Sequence, residues 1–352
     1  MIALVHNILA PYRVPLFNAL SDACNGEFVV LLARETHRFR RSWRVPREDV
    51  RFRIRRLHTA GFHLGQRAVD LSFGVGAALT KTDPDALVVA GWDLPASWSA
   101  LAWARRRRVP AYAWVESGAT SGMLRGPVST TARRFFLRQC RGAIVPGAAA
   151  ADFVRKLAPG LPFVHAPNAV AMPVNYAVRE PQPPWSAMFV GELSRRKGFD
   201  IVLEAIPDLL SDFDAVTVAG DGPLASQMEA LAKHETRVRW LGFVEGEPLV
   251  SAMSGASVVL VPSRQDPWPL VAVEALTIGR PVVLGTGVGS AVDLQAIAGS
   301  AAVPMTAADI TSLASAARRA RMQVVPMAAR EAFQPALVAA RFLSVLNTLN
   351  SV

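Results

Sequence analysis

Cysteine is nearly absent: the 352 residues hold two, Cys24 and Cys140. Two such residues make no disulfide framework and no thiolate cage for a metal, and they point to a reducing, cytoplasmic compartment. The six histidines show no metal-ligand spacing, so no metal site is expected. No uncharged apolar run reaches membrane-spanning length, and "MIALVHNILAPYR" lacks the basic leader of a signal peptide. No G-x-G-x-x-G follows the first strand-like run, "IALVH", which removes a dinucleotide oxidoreductase. The arginines are not joined by an aromatic-rich recognition strand or a helix-turn-helix pattern, so nucleic acid is not an expected partner.

Acid is scarce in one half only. Residues 1–175 hold 24 Lys and Arg against 11 Asp and Glu, while residues 176–352 hold 14 against 17. The net charge of +10 therefore comes from the first half. Its densest parts are Arg38 to Arg56, Arg105 to Arg108, and the group Arg133, Arg134, Arg138 and Arg141. Two readings fit. The arginines are solvated faces, or they form an electrostatic footprint for an anionic partner such as a membrane surface or lipid phosphate.

Apolar residues, by contrast, are plentiful. At 51% hydrophobic, the chain is long enough and apolar enough to bury the cores of two domains. In the first half the strand-like runs "IALVH", "EFVVLLA", "ALVVAGWD", "VPAYAWVES" and "GAIVPG" alternate with helical stretches. Ala171 to Trp185 then carries four prolines and no periodicity, which is linker chemistry. From "SAMFVGE" to "PVVLG" the alternation restarts, with "FDIVLEAIPDLL" read as one helix. The expected architecture is α/β: two doubly wound, Rossmann-like domains facing a central cleft, with ligands at the carboxyl ends of the strands. Expected boundaries are 1–170, a linker at 171–185, 186–330, and a trailing helix within 331–352.

The stretch "PSRQDPWPLVAVEALTIGRPVV" places Asp266 in a proline-rich loop and Glu274 inside the helix that follows. With a rise of ~1.5 Å per residue, two carboxylates so spaced stand roughly 10 Å apart. Asp266 could be a helix cap and Glu274 a solvated side chain. Alternatively, the pair grips two ends of one polar ligand, with the helix amides between them holding an anion.

This stretch resembles the signature of family 4 retaining glycosyltransferases of GT-B fold, P-S-x-x-E-P-W-G-L-V-x-x-E-A-x-x-x-G-x-P-V-V. The resemblance implies that Asp266 holds the donor sugar and Glu274 the ribose of a nucleotide diphosphate sugar. Leu270 and Val271, at the helix start, join the donor-binding set. Asp266 stands where Glu is usual, and Pro269 replaces the usual Gly. "FVGELSRRKGFDIVLEA" is similar to the family's phosphate loop, which assigns Lys197 to the diphosphate. Glu192 occupies the place of the usual Arg, so Arg195 or Arg196 supplies the second cation. Gly220 matches a turn near the donor, although a tight turn explains that glycine equally well. Gly242, Phe243 and Val244 match the segment that reads the base, and Val288 to Ser290 another donor loop.

In the first half, "APYRVPLFNAL", "AGWDLPASW" and "WVESGAT" resemble members of the family that build surface glycans. Asn7, Arg13, Trp92, Asp93, Glu116 and Ser117 fall at strand ends there, and Trp92 serves equally well as core. Where many members carry a His, Glu116 is expected to position the sugar or the acceptor hydroxyl, and to act as a base only second. The resemblance thus implies a metal-independent, retaining transferase with no cofactor, whose catalytic set is Lys197, Arg196, Asp266 and Glu116. A phosphate oxygen takes the acceptor proton, and the trailing helix crosses back to the first domain. The expected acceptor is a glycan on a lipid carrier at the inner face of the cell membrane. A small-molecule acceptor, or a non-catalytic glycosyltransferase-like binding subunit, are the alternatives.

Overall fold

The computed structural model describes residues 1–34, 45, 47–64, 67–116, 126–172 and 182–347. Arg38 to Arg44, Ser117 and the middle of the proline-rich segment lie outside the described residues. The chain divides into two units, Met1–Ala171 with Pro335–Val352, and Met172–Gln334.

Runs of Val, Leu, Ile and Ala, buried on both faces, form the inner parallel strands of the first unit, whereas the two edge strands, Arg53–Arg56 and Phe163–His165, are exposed or half-buried. The strands are β1 (Ile2–Ile8), β2 (Phe28–Arg34) and β3 (Arg53–Arg56), then β6 (Ala86–Ala90), β7 (Ala111–Trp114), β8 (Gly142–Val145) and β9 (Phe163–His165). Their order across the sheet is β3-β2-β1-β6-β7-β8-β9. Between β3 and β6 the chain makes an antiparallel pair, β4 (His58–Leu64) and β5 (Arg67–Phe73). The sequence reading passes over this region because "HTAGFHL" and "RAVDLSF" mix glycine, histidine and charge without a clean period of two. Five helices cover the sheet: α1 (Val14–Ala23), α2 (Val75–Thr82), α3 (Pro95–Arg107), α4 (Pro127–Arg138) and α5 (Ala148–Leu157).

The second unit repeats the scheme. Its strands β10 (Ser186–Val190), β11 (Ala215–Ala219), β12 (Val238–Trp240), β13 (Val258–Val261), β14 (Val282–Leu284) and β15 (Ala302–Pro304) order as β12-β11-β10-β13-β14-β15, all parallel. The expected single helix "FDIVLEAIPDLL" is two, α6 (Phe199–Glu204) and α7 (Ile206–Asp212). Pro207 has no amide to offer the Leu203 carbonyl, so the helix restarts there. Beyond them come α8 (Ala225–His234), α9 (Glu247–Ser254), α10 (Leu270–Thr277), α11 (Ala291–Ala298), α12 (Ile310–Ala320) and α13 (Met327–Glu331). Around the start of β11, Asp212 binds Arg318 of α12 at 2.6 Å, and Asp214 accepts from the Trp185 amide at 2.6 Å.

The last helix, α14 (Pro335–Asn347), belongs to the first unit. Val338, Ala339, Phe342 and Val345 join the core of Phe17, Phe28 and Trp114, with Phe342 edge-on to Trp114 at 5.3 Å.

Candidate functional site

Three loops meet at the carboxyl ends of β10, β13 and β14, and backbone hydrogen bonds sew them together. Gly198 closes the first loop at φ +72°, where any side chain would collide with the Pro262 carbonyl. Only glycine combines that left-handed turn with so close an approach. The amides of Arg264 and Gln265 donate to the Arg196 carbonyl at 3.0 and 3.3 Å. The Asp266 amide donates to the Gly287 carbonyl at 3.0 Å, and the Gly289 amide returns a bond to the Asp266 carbonyl at 2.9 Å. Residues far apart in sequence (Lys197, Asp266 and Val288) are thereby neighbours.

The charges in these loops are already paired. Lys197 donates from its ammonium to the Asp266 carboxylate, which is 8% exposed. Arg196 binds Glu192 at 2.7 Å, and that hydrogen bond holds the Glu192 carboxyl below its ordinary value. Arg264 binds Asp200 at 2.5 Å. Among the described residues, Arg195 is the cation of this loop whose side chain has no partner. The acid at position 192 thus occupies Arg196 and leaves Arg195 available to an anion.

Glu274 sits one turn inside α10 with no partner among the described residues. Burial alone lifts its carboxyl from 4.5 to about 7. A half-buried acid whose pKa is raised by desolvation is a candidate functional group. Leu270 and Val271 open the helix, and their first-turn amides have no intrahelical acceptor. Pro269 caps the helix from an extended conformation and offers no amide of its own. Two buried donors beside these loops, Trp268 Nε1 and Ser290 Oγ, also have no protein partner among the described residues.

The remaining donor-side residues divide. Phe243 follows β12 and is 64% exposed, beside Gly242 and Val244. Gly220 serves packing: its amide donates to the Gly242 carbonyl at 2.7 Å, and its carbonyl accepts from Trp240 Nε1 at 3.0 Å. A side chain at Gly220 would collide with the Gly191 carbonyl.

The first unit holds a second polar cluster, at the carboxyl ends of β1, β7 and β9. Arg13 is 3% exposed. Its guanidinium donates to Glu116 and, at 3.0 Å, to Asn168 Oδ1, and it lies 4.5 Å from the Trp114 ring centroid. Next to it His6 donates from Nδ1 to the Ile8 carbonyl at 2.9 Å. Burial and then the Arg13 charge push the His6 pKa down to about 4, so the ring is neutral at physiological pH. Sequence reasoning missed Asn168. Its only signal is the Pro-Asn pair of "HAPNAV" after a strand. Glu116 also borders a small cavity of about 40 Å³ with Trp92, Asp93, Trp114, Arg133 and Phe153 on its walls. Arg133 is not a surface cation: it is buried and lies 4.4 Å from the Trp92 ring centroid.

Residues 185–336 match the family model described as "Glycosyl transferases group 1". A glycogen synthase of Mycobacterium tuberculosis is 28% identical over 219 residues, covering 58% of this chain and 51% of that protein. An uncharacterized glycosyltransferase of Methanocaldococcus jannaschii is 35% identical over 103 residues, 28% of this chain and 26% of that protein. The chain therefore spans about a quarter and about half of the length of these two relatives. Among solved structures, the lipopolysaccharide outer core galactosyltransferase WaaB superposes at a TM-score of 0.69 with 13% identity, covering 99% of each chain. Anabaena HepE in complex with UDP-glucose superposes at 0.64 with 16% identity, covering 100% of this chain and 99% of that one. The chain has the α/β fold of the GT-B glycosyltransferases.

Proposed function

We propose that this protein transfers a sugar from a nucleotide diphosphate sugar to an acceptor hydroxyl. One observation carries the reading: in the second unit Lys197 and Asp266 pair across two loops at the carboxyl ends of β10 and β13, and the helix that follows Asp266, α10, carries the half-buried, unpartnered Glu274. The ribose hydroxyls donate to the Glu274 carboxylate. Lys197, Arg195 and the first-turn amides of α10 receive the diphosphate, while the Asp266 carboxylate turns to a sugar hydroxyl. The Lys197–Asp266 pair thus opens as the donor enters, each partner exchanging the other for a ligand group.

In the transfer step the bond from the anomeric carbon to the β-phosphate oxygen breaks, and the acceptor oxygen bonds to that carbon. The acceptor proton passes to a phosphate oxygen, and a nucleoside diphosphate leaves. Charge builds on the β-phosphate as the bond breaks, so fixed cations and amides lower this barrier. Two cations of this loop, Arg195 and Lys197, supply that charge from the chain itself, which supports a metal-independent reaction. Retention of anomeric configuration rests on the signature around Asp266 and Glu274. In the first unit Arg13, which also donates to Asn168, holds Glu116, the carboxylate assigned to the acceptor hydroxyl. The arginine excess of the first half favours an acceptor on a lipid carrier, with the protein at the cytoplasmic face of a membrane.

Nucleoside diphosphate release from UDP-, GDP-, ADP- and TDP-sugars, with and without chelator, tests this. Release from at least one donor, unchanged by chelator and with the anomer retained by NMR, is expected. A reaction that needs added Mg²⁺ or inverts the anomer contradicts the mechanism, and no release from any donor contradicts the activity.

A further inference from the structure

Helix α4 turns large apolar side chains outward. Val128 is 84% exposed and Phe135 56%. Seven residues apart, they lie on one face of the helix. Trp98 of α3 stacks on Phe135, with ring centroids 6.2 Å apart and planes at 12°. Trp98, Pro127, Val128, Thr131, Ala132 and Phe135 line one open apolar groove. On the same helix Arg134 and Arg138 are exposed, and α3 ends in the exposed Arg105, Arg106 and Arg107. Between Asp93 and Asp152 the sequence holds nine arginines, no lysine and a single acid, Glu116.

We propose that this face of α4, with Trp98 beside it, docks the protein on an anionic lipid bilayer. A purely solvated helix face has no use for two large apolar groups held in water beside a tryptophan. Here the exposed Arg134 and Arg138 adjoin the apolar stripe on the same helix. That combination is the pattern of a helix lying in a membrane interface: the apolar side chains enter the acyl boundary, and the long arginine stems reach back to the phosphates. The charge complement decides the lipid, since the exposed Arg105 to Arg108, Arg134 and Arg138 meet an anionic surface favourably. No described helix is long and apolar enough to cross a membrane, so the docking is by surface adsorption. The inference stands apart from glycosyl transfer, although it gives a lipid-linked acceptor a surface on which to be met.

The test is co-flotation of the full chain with vesicles of phosphatidylcholine alone, or of equal parts phosphatidylcholine and phosphatidylglycerol. The chain is expected to float with the anionic vesicles at low salt and to be largely released by about 0.5 M salt. Val128→Ser with Phe135→Ser should lower partitioning about tenfold or more, because the wedge is lost while the arginines remain. Arg134→Gln with Arg138→Gln should lower it by a similar factor. All four side chains are exposed, so thermal melts should match the parent and exclude unfolding as the cause. Failure to float at low salt overturns the proposal, as does equal flotation of Val128→Ser/Phe135→Ser and the parent. A parent that ignores vesicles but forms a dimer abolished by Val128→Ser/Phe135→Ser assigns the face to a second copy instead. UDP-glucose binding, measured on the same samples, separates this result from the fate of the glycosyltransfer reading.

Discussion

On the proposed reading, Glu274 ties donor binding to pH in a way that a mere helix residue would not. Burial raises its carboxyl to about 7 in the empty protein. Ribose hydroxyls donating to the carboxylate favour the ionised form, so a bound donor pulls this pKa down. Only the ionised acid binds well, and affinity should climb as pH rises toward 7 and level off above it. At pH 6 roughly a tenth of the empty protein is ionised at this position, which weakens binding about tenfold, or ~1.4 kcal/mol. An intact nucleotide sugar keeps both phosphate charges across this range and adds no titration of its own. Calorimetry at pH 6 and pH 8, in buffers of different ionisation enthalpy, reads both the affinity and the protons released. Near pH 7 about half a proton should leave per donor bound. Glu274→Gln should weaken binding by ~1.5–3 kcal/mol at pH 8 and remove the pH dependence. An affinity flat in pH for the parent, or a slope that persists in Glu274→Gln, would refute the ribose assignment.

The same acid leaves a mark on folding. Because its folded pKa exceeds the unfolded 4.5, the native state holds a proton that the unfolded chain has lost between pH 4.5 and about 7. Stability is full below that window and falls by roughly 3 kcal/mol across it, and Glu274→Gln should flatten the decline in urea melts. Lys197→Ala should cut turnover more than it weakens nucleoside monophosphate binding, since its charge matters most as the phosphate bond breaks. Equal losses would make Lys197 a structural partner of Asp266 only. Arg13→Ala should cost about 3 kcal/mol or more in denaturant unfolding, because it leaves Asn168 and Glu116 without their shared donor. A loss under ~1 kcal/mol would mean the cluster is solvated and weak. Gly198→Ala should cost at least ~2 kcal/mol through its left-handed backbone and the Pro262 carbonyl, and an unchanged melting temperature would contradict that contact.

Local grammar made most of the strands legible, but not the edge strands β3, β9 and β15, each four residues or fewer. "ALVVA" and "SVVLVPS" are short, apolar and bounded by turn residues, and the helix after Pro269 announces itself by its proline entry and Gly279 exit. The β4–β5 pair and the break at Ala205 were not legible as read. The first has no regular alternation, and the second depends on one proline inside a periodic helix. At the candidate site, Asp266, Glu274 and Lys197 could be singled out from sequence as candidates because each stands in a recognisable stretch. Their relations could not. That Lys197 already holds Asp266, that Glu192 occupies Arg196, and that Arg13 spans to Asn168 are contacts across dozens of positions, set by which strand lies beside which. The burial of Glu274 is likewise a property of the assembled loops and not of its neighbours in sequence.

The central claim is that the second unit holds a nucleotide diphosphate sugar through Lys197 and Glu274. Binding isotherms of UDP-, GDP-, ADP- and TDP-sugars to the parent, Lys197→Ala and Glu274→Gln address it most directly. The account predicts saturable binding of at least one of the four, weakened about tenfold or more by each substitution while the thermal melts show both variants folded. Binding equally tight in all three proteins, or no binding of any nucleotide sugar to the parent, would contradict it.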